Sequence, residues 1–147
     1  MRRLAGCALI VALGLAGCGG SPTLSSVQLH TRATRTCNLA RRRTNRIATP
    51  TLPTEGARFL SRGIAALAPE LTVLTLLRPP SGMASDYKRA LAASHGELQV
   101  LRSALKGLEA GNDPVVAIKT LQQQLTPLES RANSAWVSLG LPACASS

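Results

Sequence analysis

A seven-residue repeat of apolar and small side chains runs through the third quarter of the chain and constrains the fold more than any other feature. Residues spaced three or four apart lie on one face of an α-helix, so the repeat predicts a long amphipathic helix. Ser81 fits its start and Gly111 its C-terminal stop. The repeat comprises Ala84, Tyr87, Leu91, Ser94, Leu98, Leu101, Leu105 and Leu108.

A second amphipathic helix is predicted upstream of this repeat. Thr54 fits its N-cap, and Pro79-Pro80 ends it. Pro69 lacks a backbone N–H donor, so we expect a kink or a restart there. The apolar face of this helix comprises Leu60, Ile64, Leu67, Leu71 and Leu74, widened by Phe59 and Leu77.

A further helix is predicted after the repeat. Asp113 fits an N-cap and Pro114 the first helical position. Pro127 should bend this helix, and Gly140 with Pro142 should end it. Its apolar positions are Val115, Ile118, Leu121, Leu125, Leu128, Ala132, Ala135 and Leu139.

The first predicted helix, from about Val27 to Ala48, combines a narrow apolar seam with a basic surface. The seam comprises Ala33, Cys37, Ala40, Thr44 and Ile47. At about 100° per residue five arginines fall on the opposite face, and Arg41 lies on the flank. No acidic residue occurs between Cys18 and Pro50, so most of the formal net charge of +10 is concentrated here. The five arginines are Arg32, Arg35, Arg42, Arg43 and Arg46.

The scarcity of aromatic residues agrees with an all-helical fold. Phe59, Tyr87 and Trp136 are the only ones. A core built from Leu, Ala, Val and Ile suits helices better than a sheet. Four amphipathic segments with short connections therefore predict an all-α fold, an antiparallel up-down-up-down four-helix bundle.

The first residues of the chain have the pattern of a cleaved export signal. Arg2 and Arg3 precede an apolar run from Leu4 to Leu15. The run is about 12 residues long, whereas a membrane-spanning helix needs about 20, so it is typical of a secretory signal. The arginine pair also permits twin-arginine export, although the general secretory route is favoured.

Leu15-Ala16-Gly17-Cys18 closes this run and resembles the lipobox of bacterial lipoproteins. The resemblance implies cleavage by signal peptidase II before Cys18 and attachment of diacylglycerol, with chains such as palmitate, to its thiol. Two or more acyl chains anchor a protein stably where one does not. We therefore expect a lipoprotein signal peptide at 1–17, the lipidated cysteine and a flexible tether at 18–26, and a helical bundle domain at 27–147. The expected location is the extracytoplasmic side of the cell membrane.

If Cys7 leaves with the leader and Cys18 carries lipid, only Cys37 and Cys144 can pair. Outside the cytoplasm a disulfide is the expected outcome, and the alternative is two buried free thiols. The bridge would close a loop of about 107 residues. The closing stretch, Trp136 to Cys144, also resembles the tail of small actinobacterial secreted helical proteins, a resemblance that implies no activity.

The sequence offers little support for catalysis. His30 and His95 are far apart, and the acidic residues are scattered, so we expect no enzyme, no cofactor and no metal site. The favoured hypothesis is a binding or scaffolding module whose arginine face meets anionic lipid, a wall polymer or an acidic protein, not nucleic acid. The alternative is a small-molecule or metal carrier that uses the bundle interior, with Ser94 as its clearest polar candidate. The sequence also leaves open the alternative that the arginine face contacts only solvent and has no partner.

Overall fold

The computed structural model describes residues 22–145 of the chain. Four helices follow one another: α1 (Ser26–Thr44), α2 (Gly56–Leu76), α3 (Ser81–Glu109) and α4 (Pro114–Ser138). Two short 3₁₀ turns, Pro53–Glu55 and Pro142–Cys144, precede α2 and follow α4. Within residues 22–145 there is no strand, and adjacent helices pack on each other, so the predicted four-helix bundle is confirmed.

The leader, the lipobox with Cys18 and the first residues of the tether lie outside the described residues. The packed chain begins within the predicted tether, because Leu24 is buried and its N–H donates to the Arg78 carbonyl at 2.9 Å. Ser25 then caps α1 in a capping box with Gln28. Only Gly19 to Thr23 therefore separate Cys18 from the bundle.

Several helix ends confirm the sequence predictions. Asp113 accepts a hydrogen bond from the Val116 N–H at 2.9 Å and caps α4. Gly111 and Gly140 have φ of 88° and 71°, the left-handed conformation that closes α3 and α4. In each case the next N–H bonds back into the last helical turn, as the bond from Leu141 to the Trp136 carbonyl shows.

Other predicted ends are wrong by a few residues. Thr54 does not cap α2; the chain makes a 3₁₀ turn, and the Glu55 carboxylate accepts hydrogen bonds from the Thr51 and Leu52 N–H groups. These hydrogen bonds lower the pKa of Glu55. α3, in contrast, begins at Ser81 as predicted, with Pro80 rather than Ser81 at its N-cap position. There is no restart at Pro69, because α2 runs through it without interruption.

The buried core lies at the end of the bundle where α1 begins and α4 ends. Trp136 and Tyr87 meet edge to face with ring centroids 5.5 Å apart. The Tyr87 hydroxyl donates to the Leu74 carbonyl at 2.8 Å, and burial raises the pKa of Tyr87. Leu29 and Leu141 are completely buried beside them. All four helices and the C-terminal 3₁₀ turn are thus joined at this end.

Cys37 and Cys144 form a disulfide with their Cα atoms 5.0 Å apart. Cys37 lies well inside α1, so Cys144 can reach it only if the end of the chain turns back. The 3₁₀ turn Pro142–Cys144 does so and packs along α1. The His30 Nε2 lies 2.9 Å from the Leu139 carbonyl and holds the same junction. The predicted pairing is therefore present in the structure.

Candidate functional site: an open cleft between the helices

Away from the aromatic core the helices leave an open cleft. It has a volume of about 1030 Å³ and receives side chains from all four helices and from the C-terminal turn. It extends from the disulfide and Trp136 towards the end of α1, where Ile47 and Phe59 line it. We call this feature the central cleft. Its volume is in the range that the carrier hypothesis requires, although the cleft is open to solvent.

The walls of the central cleft are mainly leucine. They come from the faces that the heptad spacing predicts to be buried, but here several of these side chains remain only half-buried because the cleft lies in front of them. Ala40, Thr44 and Ile47 of the predicted α1 seam belong to this group. The apolar walls comprise Phe59, Leu60, Leu67, Leu71, Leu74, Leu98, Leu101 and Leu125.

The apolar wall on α2 also explains a property of that helix. Among the described residues, Pro53–Leu76 is one helical stretch long and apolar enough to cross a membrane by length and composition alone. In the structure it packs against α1 and α3 and buries the acidic Glu70. The cleft wall accounts for part of this hydropathy through Leu60, Leu67, Leu71 and Leu74, whereas Val73 and Leu76 are exposed outside the cleft.

Ser94, the candidate from the sequence, lies in the central cleft. Its Oγ accepts a hydrogen bond from the Trp136 Nε1–H at 3.0 Å, so the one tryptophan of the chain borders the cleft through this bond. Trp136 is 1% exposed and belongs to the core. Ser94 thus orients the indole and leaves its own hydroxyl proton available to a further acceptor.

Three glutamates that sequence reasoning did not select also line the cleft: Glu70 on α2, Glu97 on α3 and Glu129 on α4. Glu70 is buried and pairs with Arg43 of α1. Glu97 is half-buried, and its Oε1 is buried with no hydrogen-bond partner. Burial, and to a lesser degree the nearby Glu129 carboxylate, raise the pKa of Glu97 to about 7.

The helical spacing carried the information that would have found Glu97. Ser94, Glu97 and Leu101 follow each other at intervals of three and four, so they share one stripe of α3. Glu129 likewise follows Leu125 by four residues on α4. Whether helices meet or separate in front of such a stripe depends on tertiary packing, which periodicity does not report.

The structure separates the predicted arginine cluster. Arg32, Arg35 and Arg42 are exposed on α1, whereas α1 ends at Thr44, so Arg46 lies beyond the helix. The placement of Arg43 opposite the seam is wrong, since it pairs with Glu70. At about 100° per residue Arg43 is only a quarter turn from the seam, and its long side chain reaches α2.

Arg41, predicted on the flank, borders the central cleft and donates a hydrogen bond to Asn38 at 2.6 Å. His95 is exposed on α3, with its Nε2 3.1 Å from the Thr75 hydroxyl, and takes no part in the cleft. In the part of the chain that the structure describes, no group of three or more His, Cys, Asp or Glu residues could hold a metal ion.

Comparisons with protein-family models, with curated proteins and with solved structures find no match to this chain.

Proposed function

We propose that this chain is a lipid-anchored protein of the cell envelope whose bundle binds an apolar small molecule in the central cleft. The observation that carries the proposal is the cleft, with its volume of about 1030 Å³. Protein interiors are close-packed, with few voids larger than a water molecule. Ligand sites, in contrast, are clefts or cavities of roughly 300–1,000 Å³ that combine apolar walls with precisely placed polar groups. The central cleft has a similar size and combines leucine walls with polar side chains such as Ser94 and Glu97.

The leucine walls favour a flexible aliphatic ligand. Burial of one CH₂ group contributes about 0.8 kcal/mol. A ten-carbon chain would gain about 8 kcal/mol before the costs of association, which corresponds to a dissociation constant no tighter than micromolar. Single-chain amphiphiles of this length are therefore suitable probes.

The proposed location rests on the lipobox resemblance at Cys18 and on the apolar run that precedes it. An oxidising compartment also agrees with the Cys37–Cys144 disulfide. Mass spectrometry of the processed protein tests this part of the proposal. An acylated N-terminal Cys18 is expected, and an unmodified terminus at another residue would contradict it.

The binding proposal is tested with the bundle, expressed from Gly19 into an oxidising compartment and checked for helix content by circular dichroism. The Leu24-to-Cys144 packing and the disulfide lie within this piece. Decanol, an uncharged probe, is titrated while the emission of Trp136 is recorded. We expect a saturable change in emission, since the indole borders the cleft.

Two glycines provide a matched pair of variants. A Cβ added at Gly63 or at Gly82 would meet no atom within 4 Å, and both residues are helical, but only Gly63 lines the central cleft. Gly63→Leu should therefore place a side chain in the cleft and weaken decanol binding by about tenfold, whereas Gly82→Leu should leave it unchanged. Equal binding by the two variants, or no saturable binding by the unsubstituted bundle, would refute the proposal.

A second candidate function, docking on an anionic surface, is favoured by four exposed arginines. Among residues 22–145, Arg32, Arg35, Arg42 and Arg46 form no ion pair with an acidic side chain. Because α1 has 19 residues, it is about 28 Å long, so these residues reach one surface together only if α1 lies along it. Each basic residue near an anionic membrane contributes about 1 kcal/mol.

Vesicle co-sedimentation tests this second function. The bundle should bind phosphatidylglycerol vesicles and not phosphatidylcholine vesicles, and replacing the four arginines by serine should abolish binding. The matched control replaces four other exposed arginines by serine, which removes the same charge: Arg62, Arg78, Arg102 and Arg131. An equal loss in both variants would show that net charge, not the α1 surface, controls binding.

A further inference from the structure

Two carboxyl groups face the same stretch of the central cleft from neighbouring helices. Glu97 belongs to α3 and Glu129 to α4, and these two helices make the most extensive packing in the bundle. Gly96 permits their close approach, since a Cβ there would lie 3.3 Å from the Leu128 Cδ2. Both glutamates therefore lie beside a tight helix contact, and the Glu129 carboxylate adds to the negative potential at Glu97.

Glu97 lacks a partner that would compensate its charge. Its Oε1 is buried without a hydrogen bond, a state that is unfavourable for a neutral group and more so for a charged one. The other charged groups that line the cleft are Arg41 on α1 and Glu70 on α2. Arg41 donates to Asn38, and Glu70 pairs with Arg43. A donor supplied by a ligand would satisfy the Glu97 oxygen.

From this arrangement we infer that the central cleft selects an organic cation, an aliphatic amine whose ammonium group binds between Glu97 and Glu129 while its carbon chain lies on the leucine wall. The inference rests on the proposed binding function and adds the charge of the ligand. An ammonium group supplies both the positive charge and the N–H donors that the buried oxygen lacks. A bare metal ion fits less well, because the described residues provide no set of three metal ligands here.

The inference predicts a characteristic pH dependence. Burial raises the pKa of Glu97 to about 7, so the carboxyl loses its charge as the pH falls below that value. An aliphatic ammonium keeps its charge throughout this range. Binding of the amine should therefore strengthen about tenfold between about pH 5.5 and pH 8, whereas decanol binding should not strengthen.

The experiment compares three probes of equal chain length, decylammonium, decanol and decyl sulfate, below their micellar concentrations and with Trp136 emission as the readout. At pH 8 we expect decylammonium to bind about tenfold or more tightly than decanol, because charge-assisted hydrogen bonds contribute about 1.5–3 kcal/mol. Decyl sulfate should bind most weakly. Glu97→Gln and Glu129→Gln should each reduce the preference for the amine, and Glu97→Gln should also remove its pH dependence.

Glu109→Gln is the matched control, since it removes an exposed carboxylate from α3 outside the cleft. It should leave the preference for the amine unchanged. If all three probes bind equally, or if decyl sulfate binds best, the cation inference fails while the binding function stands. If no probe binds, the binding function itself fails. If Glu109→Gln reduced the preference for the amine as much as Glu97→Gln does, long-range attraction by the net charge would explain that preference. This result would also overturn the inference.

Discussion

At the scale of single residues, whether a carboxyl in the cleft has a charged partner decides whether it is available to bind a ligand. Glu70 and Glu97 both line the central cleft, but Glu70 has the Arg43 guanidinium beside it and Glu97 has no cationic partner among its hydrogen bonds. Because functional sites commonly contain groups that lower stability, an unpartnered desolvated carboxyl is a candidate for binding. Stability measurements can therefore identify Glu97 independently of any ligand.

The folded bundle should lose stability as the pH rises, through Glu97. Its folded pKa of about 7 exceeds the ordinary value of 4.5, so the folded state holds more protons than the unfolded state between these two values. The free energy of unfolding should therefore fall across this interval by about 1–2 kcal/mol, less than the full shift implies because the cleft admits solvent. Chemical denaturation of the bundle at several pH values measures it.

Glu97→Gln should flatten this part of the pH profile relative to the unsubstituted bundle, and Glu109→Gln should not. The comparison between variants is required because Glu55, with its lowered pKa, acts in the opposite direction at lower pH. A Glu97→Gln profile that parallels the unsubstituted one would show that Glu97 is not desolvated in solution.

At the scale of secondary-structure elements, local chemistry predicted the helix ends well where one residue controls them. Asp113 and Gly111 do so, because a side-chain cap and a left-handed glycine act within one turn. The predicted Thr54 cap failed because Thr54 lies inside the 3₁₀ turn Pro53–Glu55, which the Glu55 carboxylate stabilises by accepting hydrogen bonds from the Thr51 and Leu52 N–H groups. The apolar pattern also misplaced Val115, which is 64% exposed in the first turn of α4.

Gly111 and Gly82 allow the cost of the left-handed turn to be measured without a steric contribution. A Cβ would meet no atom within 4 Å at either position, but only Gly111 has a positive φ. Gly111→Ala should destabilise the bundle by about 1–2 kcal/mol, whereas Gly82→Ala, in the first turn of α3, should be neutral or stabilising by up to about 1 kcal/mol. Thermal or urea denaturation checks this, and equal effects of the two substitutions would contradict the assigned turn.

At the scale of the whole molecule, the sequence predicted the helices and the disulfide better than it predicted the central cleft. The four helices follow from apolar spacing. The Cys37–Cys144 pairing follows only once the resemblance to a lipoprotein leader sets Cys7 and Cys18 aside. The central cleft was foreseen only as a requirement of the carrier hypothesis, because side-chain spacing identifies an inward face without fixing the distance to the facing helix. The Arg43–Glu70 pair joins residues 27 positions apart. The sequence did not predict it either, because local spacing does not report how two helices face each other.

The disulfide should contribute strongly to global stability, because it links residues separated by 107 positions. On the chain-entropy model a loop of this length is worth about 4–5 kcal/mol. The double variant Cys37→Ser/Cys144→Ser should lose about that amount in chemical denaturation, and reductant should have no further effect on it. A loss below about 1 kcal/mol would show that the C-terminal turn packs on α1 without help from the bond.

The measurement that tests the central claim most directly is an isotope-filtered nuclear Overhauser experiment on labelled bundle with unlabelled decylammonium. Occupancy of the central cleft predicts contacts from the ligand chain to the methyl groups of Leu67, Leu98 and Leu125, which belong to three different helices. Contacts confined to exposed valines such as Val27 and Val137, or no contacts at all, would contradict it.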